Sequence, residues 1–331
     1  MLPVVPESLP GSTTPGAQPS DTVSVIIVSY NTCALLRRCL QALAAVYSPL
    51  RVWVVDNAST DGSADMVRTE FPEARLMASG KNLGFAAANN WALRQILSLS
   101  PSAPGAGGPV LFLNPDTEVL PGSLAGMADY LRRCPDVGAV GVQLLNPDGT
   151  QQRSYGHFWF NHIWSSLLHQ LLHGQHPGLA GATETPLQVD WLIGACILVS
   201  RPALDAVGEL DEAFFIYSEE IDWQFRLHQA GYRVALLPTL HVVHYGAQST
   251  RQAGPAMLRQ EYRSRYLLVA KHRGRVVCLL YLAMVGMDLC AESLRRLARA
   301  ARRRDPQELA LARRAASLIA AHLEPGFRRR Q

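Results

Sequence analysis

Short apolar runs that stop abruptly at polar turns constrain this chain more than any other feature. Val23–Val28, Val52–Val55, the shorter Arg75–Ala78 and Val110–Leu113 are such runs, and helix-patterned segments separate them. A strand that is apolar at successive positions suits burial on both faces of a parallel sheet. Leu35, Leu36, Cys39, Leu40 and Leu43 line one face of a helix over residues 34–45, with Asn31 or Thr32 placed to cap it. Residues 64–70 and 86–99 read as two further helices. This alternation predicts an α/β fold, a Rossmann-like and mostly parallel sheet flanked by helices. Right-handed crossovers then bring every polar strand end to one edge. Those ends are Ser29-Tyr30-Asn31, Asp56-Asn57, Asn82 and Asn114-Pro115-Asp116.

Asp116 is the sharpest of these. Val110–Leu113 is fully apolar and Pro115 cannot continue a central strand, so a carboxylate is delivered where open α/β sheets bind ligands. There it is placed to hold a divalent cation beside a diphosphate; an Asn-Pro-Asp turn with Asp as a cap has the same sequence. Four polar ends in register favour a crevice. Asp56, after the second strand, is placed to accept hydrogen bonds from a nucleobase or ribose. The chain has no GxGxxG or GxxxxGK[ST], so the dinucleotide-oxidoreductase and NTPase templates do not fit.

Bulk properties narrow the class further. Hydrophobic residues make up 48% and charged residues 18% of the 331 positions, a folded composition. The net charge of +4 gives no global sign of a nucleic-acid partner. It is unevenly spread: residues 291–331 hold eleven arginines against four acidic residues, a local net charge of +7. The six cysteines form no CxxC pair, which reads as free thiols in a reducing, cytoplasmic compartment. Residues 1–21, rich in Pro, Ser, Thr and Gly, read as a disordered leader with no signal-peptide pattern.

The second half supplies a second chemical centre. Gly138–Leu145 reads as a strand, Asn146–Gly149 as a turn, and Gln151–Gly156 with the aromatic Phe158–Trp164 as a loop over the site. Val189–Ser200 reads as a buried strand or strand pair, and Arg233–Leu237 as a last strand before Pro238. In Ser218-Glu219-Glu220-Ile221-Asp222-Trp223 three carboxylates lie within four residues, next to Phe214, Phe215 and Tyr217. Acidic residues favour a helix N-terminus, with Ser218 as its cap. Like charges in an apolar setting also raise a carboxylate pKa, as a general base requires. Asp222 is placed to orient its neighbours through Arg226 at i+4. From Pro255 to Arg273, and again over Val276–Leu289 and Leu294–Arg299, the pattern is helical, apolar and basic. It fits equally a helical appendage on the domain and an interfacial segment on an anionic membrane. The run Val276–Leu289 would extend only about 21 Å, short of a roughly 30 Å hydrocarbon core.

Four stretches in order carry a family resemblance: Val25–Asn31 (VIIVSYN), Val54–Ser63 (VVDNASTDGS), Asn82–Asn90 (NLGFAAANN) and Leu111–Asp116 (LFLNPD). Together they resemble the family 2 glycosyltransferases, and within them the rhamnosyltransferase-like enzymes of bacterial cell surfaces. The resemblance covers roughly residues 22–270. It implies a GT-A fold over 22–254, followed by a basic amphipathic helical region over 255–331. It implies an inverting, metal-dependent transfer from a nucleotide-sugar donor to a glycan or lipid-linked acceptor, with peripheral membrane contact through the C-terminal region. Rhamnose is the sugar suggested, with UDP-hexoses and GDP-sugars open. Ser29, Tyr30, Asn31, Asp56, Asn57, Asp61, Asn82, Gly84, Asn89, Asn114 and Arg251 are the expected donor-binding set. Asp116 and His244, the latter matching an HxxHxG segment, are the expected ligands of Mn²⁺ or Mg²⁺. Phe214–Asp222 resembles an FFxYxEDxD motif in which Glu220 stands where the family has Asp. The base is therefore Glu220 or, given the longer side chain, Glu219, with Asp222 beside them. A sugar nucleotidyltransferase, or a carbohydrate- or membrane-binding protein that keeps the fold without catalysis, are the competing readings.

Overall fold

A computed structural model describes residues 22–303 apart from 47–48, 101–102, 159, 161–183 and 247. The expected leader (1–21), the end of the basic region (304–331) and most of the aromatic segment after Phe158 lie outside the described residues.

The first half alternates as its apolar runs require: β1 (Val23–Ser29), α1 (Cys33–Val46), β2 (Leu50–Asp56), α2 (Ser63–Glu70), β3 (Arg75–Ala78), α3 (Phe85–Leu97) and β4 (Val110–Leu113). There follow β5 (Thr117–Val119), α4 (Ser123–Arg133), β6 (Val137–Leu145), β7 (Tyr155–Gly156), β8 (Leu187–Val189), β9 (Trp191–Leu192) and β10 (Cys196–Val199). The chain continues through α5 (Arg201–Val207), α6 (Glu219–Gln229), β11 (Arg233–His244) and α7 (Gln248–Arg303).

The main sheet has the order β3-β2-β1-β4-β10-β6-β11-β5, with β8 added to β11. β3, β2, β1 and β4 are mutually parallel. β10 runs antiparallel between β4 and β6, so β6 and its parallel neighbour β11 point the same way as β4. Register aligns Ser29 with Asp56, and Asp56 with Ala78. The carboxyl ends of these strands therefore share one edge with the start of β10.

Side chains alternate across the pleat. Val25, Ile27, Val54, Leu111 and Leu113 pack with α1, α2 and α4 through Leu36, Leu43, Val67 and Met127. Ile26, Val55, Phe112 and Val234 pack with α3, α5 and α6 through Leu93, Leu204, Trp223 and Leu227. A third cluster, with Phe158, Phe160, Trp191, Phe214 and Ile221, seats α7 through Tyr266, Leu268, Val269 and Tyr281.

Several local expectations are corrected. The side chain that caps α1 is neither Asn31 nor Thr32 but Asp61, whose carboxylate accepts from Cys33 N at 2.7 Å. Ser218 makes no side-chain cap bond, because its backbone is left-handed. The 189–200 strand divides into β8, β9 and β10, since Leu192 N and O bond the Gln224 side chain. β11 runs through Pro238: its ladder with β6 shifts between Leu237 and His241, so the missing proline N–H falls in a bulge. Strand β5 had no sequence signal.

α7 reverses on itself. Gly274 has φ +83°, and the Tyr266 and Tyr281 rings lie 5.7 Å apart. In a straight helix those positions would be about 22 Å apart. Cys278 Sγ also contacts Tyr266 O at 3.4 Å. The two arms, 248–273 and 275–303, form an antiparallel hairpin.

Gly84, at the start of α3, has φ +83°, and a Cβ there would lie 2.5 Å from Phe215 O. Phe85 N donates to that same carbonyl at 2.6 Å. Gly84→Ala is expected to lower unfolding free energy by about 2 kcal/mol, from left-handed strain plus the clash, measured by urea denaturation.

Candidate active site

The strand ends build a polar edge from local bonds. Asn31, with φ 53°, accepts from Thr60 N at 2.8 Å and donates its own N–H to Ser59 Oγ at 3.0 Å. Asp61 accepts from Cys33 N, Ser63 N and Ser63 Oγ, so it ties the starts of α1 and α2 together. Asn57 donates to Asn82 Oδ1 and accepts from Leu83 N, and Gly84 N also bonds Asn82 Oδ1. Ser29 is buried and bonds Thr32, while Tyr30 is exposed. Asn89 lies buried in α3 and donates to Phe85 O. Asp56 differs from the rest: Oδ2 accepts from Ser59 N, whereas Oδ1 is buried with no hydrogen-bond partner among the described residues. An orphaned carboxylate oxygen in a cleft is an acceptor awaiting a donor. The side chain of Arg251 lies outside the described residues.

Asp116 and His244 meet on this edge. Tyr245 N donates to Asp116 O at 2.9 Å, and His244 Nε2 lies 3.5 Å from Asp116 Oδ1. Gln152 sets the imidazole. Its amide nitrogen donates to His244 O and to Asn146 Oδ1, so its oxygen faces His244 Nδ1 at 3.0 Å. Nδ1 therefore carries a hydrogen, and Nε2 is the ring atom that faces the carboxylate. An imidazole nitrogen and a carboxylate oxygen facing each other across 3.5 Å are of the types that ligate divalent cations, with the other ring nitrogen hydrogen-bonded as in metal-bound histidines. No group of three or more His, Cys, Asp or Glu gathers among the described residues, so the Asp116–His244 pair stands without a third such side chain there. Asp148 stays in its turn, accepting from Thr150 N and Oγ1.

The acidic segment is held under strain. Tyr217 and Ser218 are both left-handed, with φ 69° and 68°, an unfavourable state for residues with a Cβ. Ser264 from the inner arm of α7 fixes the preceding turn by donating to Ile216 O at 2.7 Å. Glu219 is buried, and Glu220 packs against Gly194, its Cγ 3.6 Å from where a Gly194 Cβ would lie. One oxygen of each carboxyl is buried without a partner among the described residues. Burial, then the neighbouring Glu220, pushes the Glu219 pKa well up; burial lifts Glu220 to about 7. Asp222 has a different fate. Its side chain is fully buried and accepts from Arg226 Nε at 3.0 Å, Lys271 Nζ at 2.7 Å and His272 Nε2 at 2.8 Å. Burial opposes its charge, yet the bonds from His272 and Lys271 hold the carboxyl below the usual range.

The two centres touch through one short segment. Asn114 N donates to Ala195 O at 2.9 Å, and the adjacent Gly194 lies against Glu220. The strand end that carries Asp116 and the helix that carries Glu219 and Glu220 are therefore linked through residues 194–195, while Asp222 faces α7. Sequence reasoning put Gln152 in a loop over the site but missed its bond to His244, and it missed Ser264, Lys271 and His272 altogether. Spacing carries no trace of them, since each acts on a residue 48 to 92 positions away.

A polar edge, an Asp–His pair and two buried glutamates thus lie together on this α/β sheet. Residues 24–204 match the model of Glycosyl transferase family 2, and the chain belongs to that family. It is 33% identical over 277 residues to N-acetylglucosaminyl-diphospho-decaprenol L-rhamnosyltransferase of Mycobacterium tuberculosis, covering 77% of this chain and 86% of the relative. It is 24% identical to the low-salt glycan biosynthesis hexosyltransferase Agl10 of Haloferax volcanii, over 75% of each chain. The mannosyltransferase PcManGT from Pyrobaculum calidifontis, solved with GDP-Man and Mn²⁺, shares the fold: TM-score 0.53, 19% identity, covering 98% of this chain and 91% of that one.

Asp222 joins the glutamate-bearing helix to the hairpin, so its loss leaves the buried His272 without its acceptor and removes a shared partner of Arg226 and Lys271. Asp222→Ala is expected to destabilise the protein by about 3 kcal/mol, read as a lower urea midpoint.

Proposed function

We propose that this enzyme moves a sugar, rhamnose by the relatives' example, from a nucleoside-diphosphate donor to a hydroxyl of a lipid-linked or cell-surface glycan, with inversion. The observation that carries this is the shared border: the 194–195 backbone touches both Asn114, two residues before Asp116, and Glu220. Leaving-group chemistry and proton removal then take place on opposite sides of one crevice.

On the donor side, Asp56 Oδ1 takes a hydrogen bond from the nucleobase or ribose. The bonds among Asn31, Asp61, Asn57 and Asn82 keep that edge shaped, with Ser29, Tyr30, Gly84, Asn89, Asn114 and Arg251 completing the donor-binding set. Asp116 and His244 would hold a Mn²⁺ or Mg²⁺ ion. Bound there, it would offset the charge that grows on the departing diphosphate. Glu220 accepts the proton of the acceptor hydroxyl as that oxygen attacks the anomeric carbon. Glu219 lies beside it, its own affinity for protons raised by burial and by the Glu220 charge, and Asp222 positions the helix that bears both. The acceptor is lipid-linked by analogy with the mycobacterial relative's name, and that analogy supports an enzyme acting at the cytoplasmic membrane face, in peripheral contact through its C-terminal region.

Asp116→Ala is expected to lower kcat/KM by roughly 10³-fold with an unchanged far-UV spectrum; retained transfer removes Asp116 from the reaction. Glu220→Gln should lower kcat by about 10²–10⁴-fold with donor KM little changed. If instead Glu219→Gln alone has that effect, the base is Glu219. Because a protonated carboxyl cannot accept a proton, kcat/KM should rise with pH through about 7 and level off above it. Nucleoside diphosphates with Mn²⁺ should raise Tm more than either alone, and Asp116→Ala should cancel the difference.

A further inference from the structure

We infer that the outer arm of the C-terminal hairpin is a bilayer-docking face that lies flat on an anionic lipid surface. This deepens the lipid-linked-acceptor reading above by naming the surface and its orientation.

Eight large apolar side chains stand exposed among the described residues, and six of them are on this arm: Val276, Leu279, Leu280, Met287, Leu294 and Leu297. The other two, Tyr30 and Phe215, flank the crevice. Steps of three, four and seven residues place the six on one helical stripe. Val276, Met287 and Leu294 are 72%, 66% and 67% exposed, so the face is outward. The opposite side of the arm is already occupied, with Tyr281 and Leu289 buried and Leu282 and Val285 packed in the third cluster.

Charge selects the occupant. Residues 273–303 carry seven arginines against Asp288 and Glu292, at both ends of the stripe. An apolar stripe bracketed by arginine matches acyl chains beneath anionic headgroups. A second copy of the chain would bring the same arginine rows together across a two-fold axis, which charge opposes.

Crossing the bilayer is a different matter. By length and composition alone, Ala256–Arg302 is long and apolar enough to span. The reversal at Gly274 divides it. The inner arm carries Arg259, Arg263, Arg265, Lys271 and Arg273 and is tied to the domain through Ser264–Ile216 and Lys271–Asp222. The outer arm packs along that charged arm, so it lies in the interface plane. The same ties bring the Glu219–Glu220 helix close to the docked hairpin, at the level where a lipid-linked sugar presents its hydroxyl.

The test uses the full chain in flotation with vesicles of mixed phosphatidylglycerol and phosphatidylcholine, against phosphatidylcholine alone. Wild type should float with the mixed vesicles, less as salt is raised, and weakly with phosphatidylcholine. Leu279→Glu/Met287→Glu/Leu294→Glu should reduce binding at least about tenfold while keeping its Tm and its transfer to a short-chain, water-soluble acceptor. The single Met287→Glu variant should show a smaller loss in the same direction. The inference is overturned if wild type stays with the soluble fraction, if the triple variant floats as well as wild type, or if light scattering shows that the substitutions dissociate a dimer. Vesicle binding without transfer to either acceptor would instead sink the transferase reading and leave the docking face standing.

Discussion

The direction of β10 is the constraint on which the site depends. In a sheet of parallel strands only carboxyl ends reach the functional edge. One antiparallel strand between β4 and β6 brings an amino-terminal approach, Ile193–Ala195, to the same edge. Its backbone bonds Asn114 on one side and gives Glu220 a glycine to lie against on the other. Were β10 parallel, the 194–195 segment would open at the far end of the sheet. The glutamates would then lose their contact with the strand that carries Asp116.

Around that contact the protein stabilises an arrangement with a local cost. Two left-handed residues precede Glu219, and each glutamate buries an unpartnered oxygen. Such strain persists only where the surroundings over-determine it. Here they do so from three sides: Phe85 N on Phe215 O, Ser264 on Ile216 O, and Arg226, Lys271 and His272 on Asp222. The C-terminal hairpin is therefore part of the frame that holds the acidic turn, as well as a covering of the third cluster.

Much of the architecture was legible in the chain because it rests on local periodicity. The buried runs at β1, β2 and β4 and the helices between them follow from patterns read within a window of a few residues. The polar ends at Asn31, Asp56 and Asp116 were legible for the same reason, as was the acidic stretch at 219–222. Partnerships across long separations were not. Asp61 caps α1 from 28 residues away, Gln152 orients His244 from 92, and His272 reaches Asp222 from 50. Pro238 was read as a strand end because nothing local announces the bulge that accommodates it.

The sequence by itself determined the α/β alternation, the family, and which residue types stand at the ends of the strands, since those depend on hydrophobic period and on ordered motifs. Tertiary structure alone decided which carboxylates are alike. Glu219, Glu220 and Asp222 are near-equivalent as letters, yet burial raises the first two toward neutrality, while hydrogen bonds from His272 and Lys271 and the charges of Lys271 and Arg226 keep the third ionised. It also decided that the last apolar stretch doubles back at Gly274 and shows one side to the outside. A side chain's charge state and its exposure are set by what the rest of the chain places around it, and that information does not reside in its neighbours in sequence.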